Sequence, residues 1–230
     1  MFGRVTVLDH GYLEPIESWG SDERIIEAAR MSTAKGFEGW GPDEHGKPGD
    51  EKLLRYLWEH KHATPFEMAG VVIEVQAPIF VFREWHRHRT QSYNEMSARY
   101  VELPELFYVP LPERVQAQSK TNKQGSDGEL PEWARAMALT DIVDCSRFAF
   151  ARYQAMLEVG VAREIARLVL PVNTYSRMRA SANLRNWLAF LTLRMDPAAQ
   201  WEIRQYANAV GGIIACKFPR TWELFAEAKR

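Results

Sequence analysis

The sequence predicts an α+β fold: one helix-rich domain with a small sheet, carrying two exposed loops. Three observations predict it. The chain has 230 residues, 46% of them hydrophobic, which is enough for one well-buried core. Strand-like and helix-like periodicities alternate along it, with no internal repeat. Two polar stretches, about residues 36–50 and 112–131, interrupt that pattern and read as mobile excursions from a single domain spanning 1–230.

The elements follow in order. RVTVLD (4–9) alternates as a strand. SDERIIEAARMS begins with Ser21 as an N-cap and has acids in its first turn, which predicts a helix. KGFEGWGPDEHGKPGD holds five glycines and two prolines and is expected to be an exposed loop. Helical spacing resumes in EKLLRYLWEHKH, with Leu53, Leu54, Leu57 and Trp58 on one side. GVVIEVQA is a strand, and Pro78, suited to a first helical turn, opens a helix over PIFVFREWHRHR, residues 78–89. Beyond the second polar stretch, QAQSKTNKQGSDGELP, residues 131–159 and most of 163–216 read as helical, with a strand around NTYSRMRAS.

Charge and cysteine content exclude several classes. Lys plus Arg number 29 and Asp plus Glu 30, so a general nucleic-acid coat or a polybasic membrane anchor lacks its surplus of positive charge. No stretch approaches the run of about 18 apolar residues that a membrane span requires, and residues 1–20 have no signal-peptide pattern. A cytoplasmic protein is expected. Cys145 and Cys216 lie far apart in helical stretches and read as thiols packed in the fold. His60, His62, His86 and His88 come in pairs two apart, which point to different faces of a helix, so no metal is expected. Neither a dinucleotide-binding glycine fingerprint nor a phosphate-binding loop motif is present.

The arginines are unevenly placed. Lysine is absent from 62–119 and from 124–216, while fifteen arginines fall in those stretches. Arginine is favoured where a planar fork meets phosphate or carboxylate, or stacks on a ring, under partial burial. On a continuous helix Arg83 and Arg87 would share one face, a like-charge pair that costs a few tenths of a kcal/mol unless an anion compensates. A second group lies in 161–194, with six arginines, one glutamate and no lysine. A solvated basic face paired with acids elsewhere is the plain alternative. Two arginine clusters in a nearly neutral chain instead suggest two anionic groups bound together, such as a pyrophosphate and a nucleotide monophosphate.

Arg87-His88-Arg89, seven residues and then Ser97 resembles the R-H-R-x7-S signature of the flavin-dependent thymidylate synthases. HATPFE, APIFVFREW, REIARLVLP, NLRNWLAFLTLR and AQWEIRQYA are similar to segments of that family in the same order, so the resemblance covers nearly the whole chain outside the two loops. It implies a homotetramer with a mostly antiparallel sheet and with FAD where subunits meet. It also implies conversion of dUMP to dTMP with methylenetetrahydrofolate as carbon donor and NADPH as reductant. By matching position, Arg87, His88, Arg89 and Glu95 are expected at the flavin or its phosphates, joined by Thr64, Asn183 and Arg185. His62 is expected beside the flavin ring, where the folate stacks. Glu84, Arg87, Glu95, Ser97, Ala98, Arg99 and Arg167 are expected around dUMP, with Arg194 beside the pyrimidine. Three positions depart from the family pattern: Glu84 replaces a common glutamine, Ala189 an asparagine and Met68 a histidine.

The residues also restrict the chemistry. Neither cysteine lies in a motif that resembles a thiolate nucleophile or in a basic pattern that would clearly depress its pKa, and Ser97 has no evident histidine base, so its hydroxyl reads as a hydrogen-bonding group. Electrostatic activation by Arg194 remains, with a flavin supplying redox chemistry that side chains lack. Two other classes compete: a single-stranded nucleic-acid binder using arginine and aromatic platforms, and a flavoprotein reduced to NADPH oxidation.

Overall fold

The computed structural model describes residues 3–229. Its centre is a five-stranded antiparallel sheet in the order β1-β2-β3-β7-β4. β1 spans Val5–Val7, β2 Gly11–Trp19, β3 Gly70–Pro78, β4 Ser92–Glu95 and β7 Tyr175–Asn183. One face is built by strict alternation: Val71, Ile73, Val75 and Ala77 of β3 are fully buried, and Met178, Ala180 and Ala182 of β7 lie in the same core. Arg177 and Arg179 point to the other, exposed side, where Arg179 pairs with its cross-strand neighbour Glu74 at 3.5 Å.

Helices cover the buried face. α1 (Asp22–Arg30) is capped by Ser21 as expected, its Oγ accepting from the Arg24 N–H at 3.3 Å. α2 is Asp50–Glu59 and α3 Ile79–Trp85. α4 (Glu132–Glu158), α5 (Arg163–Ala166), α6 (Leu184–Arg194), α7 (Trp201–Lys217) and α8 (Pro219–Glu227) follow. α7 is the axle of this layer: it packs on β1, β2, α3, α6 and α8, with Ile203, Tyr206, Val210, Ile213 and Ile214 buried.

Several expectations need correction. The helix from Pro78 ends at Trp85, not at 89, because tertiary bonds take its terminal carbonyls. Arg194 donates to the Glu84 carbonyl at 3.0 Å, and the Tyr93 hydroxyl, bonded chiefly to the His88 carbonyl, also reaches that of Trp85 at 3.2 Å. Arg83 and Arg87 therefore do not lie on one continuous helix. The interval 163–174 is not a long helix but α5, one further tight turn and Pro171. β2, β4 and α8 go beyond the elements that periodicity predicts. β2 contains Pro15, tolerated because β1 pairs only with residues 11–13 and leaves that edge open; the register shifts just beyond it. Gly11 starts β2 because a Cβ there would stand 2.0 Å from the Tyr206 hydroxyl. Cys145 and Cys216 are exposed rather than packed.

The two polar stretches are irregular yet tethered. In the first, Phe37 and Trp40 pack against the core, Trp40 donates to Glu23 at 2.8 Å, and buried Asp50 accepts the Glu38 N–H at 2.7 Å. The second folds a two-stranded ribbon, β5 (Ala117–Gln118) with β6 (Ser126–Gly128), and Arg114 anchors it to buried Glu202 at 2.9 Å.

An aromatic cluster fastens α3 to α6. Trp85 stacks on Phe190 at 4.7 Å and meets Trp187 edge-on at 6.4 Å, while the Trp187 indole N–H donates to the Val71 carbonyl at 3.0 Å. All three rings are fully buried. Trp187→Ala removes the ring and its added bond to a carbonyl that stays in the β3–β7 ladder, so we expect urea unfolding to show a loss of about 4 kcal/mol, mainly from the cavity.

Candidate functional site

α6 starts directly where β7 stops, because the Asn183 side chain accepts from the Asn186 N–H at 2.9 Å and caps the helix. Asn186, Phe190 and Arg194 recur every four residues and share one face. That face carries the turn that follows α3. The Asn186 amide donates to the Thr90 carbonyl at 3.1 Å, and the Phe190 ring meets His88 edge-on at 4.9 Å. Tyr93 closes the turn from the far side by donating to the His88 carbonyl at 2.7 Å. The Arg87-His88-Arg89 run is thus held by one helix face, a role for Asn186 and Tyr93 that the sequence reading missed. The four-residue spacing was the available signal.

Arg194 is the best-held arginine of the site. Its Nη1 donates to Glu84 Oε2 at 2.5 Å, its Nη2 to the Glu84 carbonyl at 3.0 Å, and its Nε to His88 Nε2 at 2.9 Å. Its side chain is only 16% exposed. Guanidinium has five N–H groups, so one on each terminal nitrogen stays uncommitted. The Glu84 carboxylate that replaces the family's common glutamine is neutralised by this contact.

Accepting from Arg194 requires His88 Nε2 to be unprotonated. Burial, and secondarily the Arg194 charge, push the His88 pKa down to about 4. The folded protein therefore keeps His88 neutral while an unfolded chain takes up a proton near the ordinary value of about 6.5. This residue's contribution to stability is complete above about 6.5 and falls as pH drops from there to about 4.

The other predicted residues lie on exposed turns, and those around Ser97 form a patch with α5. Arg87 and Arg89 are exposed with no ion-pair partner among the described residues. β4 leads to exposed Glu95, then to Ser97, whose Oγ accepts the Arg99 N–H at 3.3 Å. Ser97 is a hydrogen-bonding group here, with its partner in its own turn, and Ala98 is buried beneath it. Arg99 pairs with Glu164 at 3.3 Å and Arg163 with Glu102 at 3.5 Å, which ties this turn to α5. Arg167, just past α5, is exposed and has no ion-pair partner among the described residues. Within one chain Arg99 and Arg167 belong to this patch, and Arg194 to the α3–α6 junction.

A third group surrounds His62. Two clefts, about 290 and 330 Å³, meet at His62 and Ala63. Arg185, Leu188 and Ala189 of α6 line the first; Ala29, Thr64 and Met68 line the second. Arg185 pairs with Glu67 at 2.6 Å, holding the 64–68 turn to α6. Both departing residues, Ala189 and Met68, line this groove, where they replace polar groups with smaller or apolar ones. No cluster of three metal-binding side chains exists among the described residues.

The His88 reading is testable by NMR: the imidazole is expected to titrate near pH 4, and Arg194→Ala to raise that midpoint without restoring the ordinary value, because burial is the larger cause.

A family description, "Thymidylate synthase complementing protein", matches residues 15–220. A flavin-dependent thymidylate synthase of Thermus thermophilus is 44% identical over 223 residues, covering 97% of this chain and 78% of that protein. One from Thermosipho africanus is 40% identical over 95% of this chain and 92% of its own length. The crystal structure of a UMP/dUMP methylase, PolB from Streptomyces cacaoi bound with 5-Br dUMP, superposes with a TM-score of 0.83 at 35% identity, covering 97% of each chain. With a matching family description and relatives this similar over nearly its whole length, the chain belongs to the flavin-dependent thymidylate synthase family.

Proposed function

We propose that the protein converts dUMP, methylenetetrahydrofolate, NADPH and a proton into dTMP, tetrahydrofolate and NADP⁺. The observation that carries this reading is Arg194, fixed on three sides with two N–H groups free. Transfer of a one-carbon unit needs electron density at uracil C5. A guanidinium aimed at the pyrimidine edge favours the N3-deprotonated form and thus raises that density. Neutral His88 and charged Glu84 keep the fork in place while ligands come and go. Arg87, Arg99 and Arg167, on exposed turns, supply charge for the nucleotide phosphate.

The residues present fit a flavin dinucleotide. Thr64, Asn183 and Arg185 stand at the His62 groove or the start of α6, and Arg87 and Arg89 have no carboxylate among the described residues to neutralise them. When bound, FAD supplies the redox step, taking hydride equivalents from NADPH and returning them to the transferred carbon. The imidazole of His62 offers a flat face at the groove's centre for ring stacking.

A site divided into patches is completed by other subunits in this reading, as a homotetramer. The 27-residue α4 supports it: only Ser146, Phe150 and Tyr153 are buried, while Trp133, Met137 and Phe148 are exposed. Leu168, beside Arg167, is 73% exposed, so an apolar surface adjoins the unpaired arginine. No helix among the described residues is long and apolar enough to cross a membrane, and we place the enzyme in the cytoplasm.

The visible spectrum of purified or FAD-reconstituted protein tests the reading. Flavin absorption that bleaches with NADPH and shifts with dUMP is expected; protein that stays colourless after reconstitution contradicts it. Arg194→Ala is expected to retain flavin and to lose about a hundredfold in dTMP formation, the cost of one such group being on the order of 3 kcal/mol. Near-normal turnover would refute its role.

A further inference from the structure

Beside the His62 groove lies a third cleft, about 520 Å³, between α1, α2 and the first polar stretch. Ala29 walls both this cleft and the one that holds His62 and Thr64. Lys35, Lys47 and Lys52 line it, although lysine is absent from 62–119 and 124–216. Its charges are unequally satisfied. Arg30 is consumed by Asp50 and by Glu38 at 3.0 Å, and Lys35 shares Glu38 at 3.6 Å. Lys47 and Lys52 are exposed and have no carboxylate partner among the described residues. Two free ammonium groups therefore face a cleft whose only lining carboxylate among the described residues, Glu38, is already shared.

A track leads from those ammonium groups to the groove's centre. Lys52, Tyr56 and His60 recur every four residues along one side of α2 and its end, spanning about 12 Å. The half-exposed Tyr56 ring stacks on His60 at 4.0 Å and meets His62 edge-on at 5.6 Å. A ligand with its ring at His62 can lay a linker over Tyr56 and reach the lysines with an anionic end. Flexible point charges suit such an end better than rigid forks do, because a tail has no fixed geometry.

We propose that the Lys35, Lys47, Lys52 and Tyr56 cleft binds the anionic tail of a co-substrate whose ring sits at His62. The tail is either the glutamate carboxylates of the folate or the 2′-phosphate of NADPH. The inference rests on the reading of His62 as the stacking residue of the groove and adds a subsite to it.

The test compares FAD-loaded wild type with Lys47→Glu/Lys52→Glu, by calorimetric binding of monoglutamyl and triglutamyl tetrahydrofolate and by KM for NADPH against NADH. Both side chains are exposed, and an unchanged melting temperature and flavin spectrum are expected to confirm folding. Two reversed exposed charges are expected to weaken the tailed ligand about tenfold, with kcat retained and the difference shrinking at high salt. A loss greater for triglutamyl than monoglutamyl folate assigns the cleft to the folate tail. A loss for NADPH that spares NADH, which lacks the phosphate, assigns it to the dinucleotide. Equal values for every ligand in the folded variant overturn the proposal. Calorimetry reads binding without turnover, so wild type that prefers the tailed folate yet makes no dTMP faults the reaction and leaves the subsite standing.

Discussion

The bond set around Arg194 is the constraint on which the site depends. One guanidinium joins the end of α6 to the end of α3 through Glu84 and to the following turn through His88. Mostly buried charge is expensive unless it is paired and hydrogen-bonded, and here three of the five N–H groups are bonded, one of them to a carboxylate. The stack of Trp85 on Phe190 directly beneath supplies the apolar surface that keeps water from loosening the arrangement. Taking the last carbonyls of α3 also ends that helix, and ending it there turns Arg87 and Arg89 outward. The fold and the chemistry share a single set of contacts.

How much of this was legible in the sequence depended on how local the cause was. Ser21 capping α1, the alternation of β3 and β7, and the extent of α4 follow from neighbouring residues, and they were readable. β2 was hidden because Pro15 and the register shift beyond it conceal the period of two, and Pro15 is tolerable only because β1 is short. The end of α3 was hidden because Arg194 and Tyr93, distant in sequence or beyond the turn, decide it. The exposed cysteines follow from helices whose outward faces a helical periodicity alone could not assign. In the site, the arginine excess indicated anion binding, while individual roles came from the family signature. Neither source indicated that α6 carries the signature turn through Asn186, Phe190 and Arg194.

The departures from the family pattern have physical consequences in this chain. Glu84 would repel an anionic nucleotide if it stood alone; paired with Arg194 it acts as that residue's counterion. Ala189 and Met68 give the groove around His62 an apolar lining where the family pattern has polar groups. Arg167, without an ion-pair partner among the described residues, stands at an exposed turn beside the exposed apolar side chain of Leu168.

The most direct measurement is a crystal structure of the protein with FAD and dUMP both bound. The account predicts that the Arg194 fork stays on Glu84 and His88 with its two remaining N–H groups at the uracil edge, and that Arg167 from a different subunit meets the same nucleotide. A structure in which Arg194 leaves Glu84 and points away from the pyrimidine, with one subunit enclosing the nucleotide alone, would contradict it.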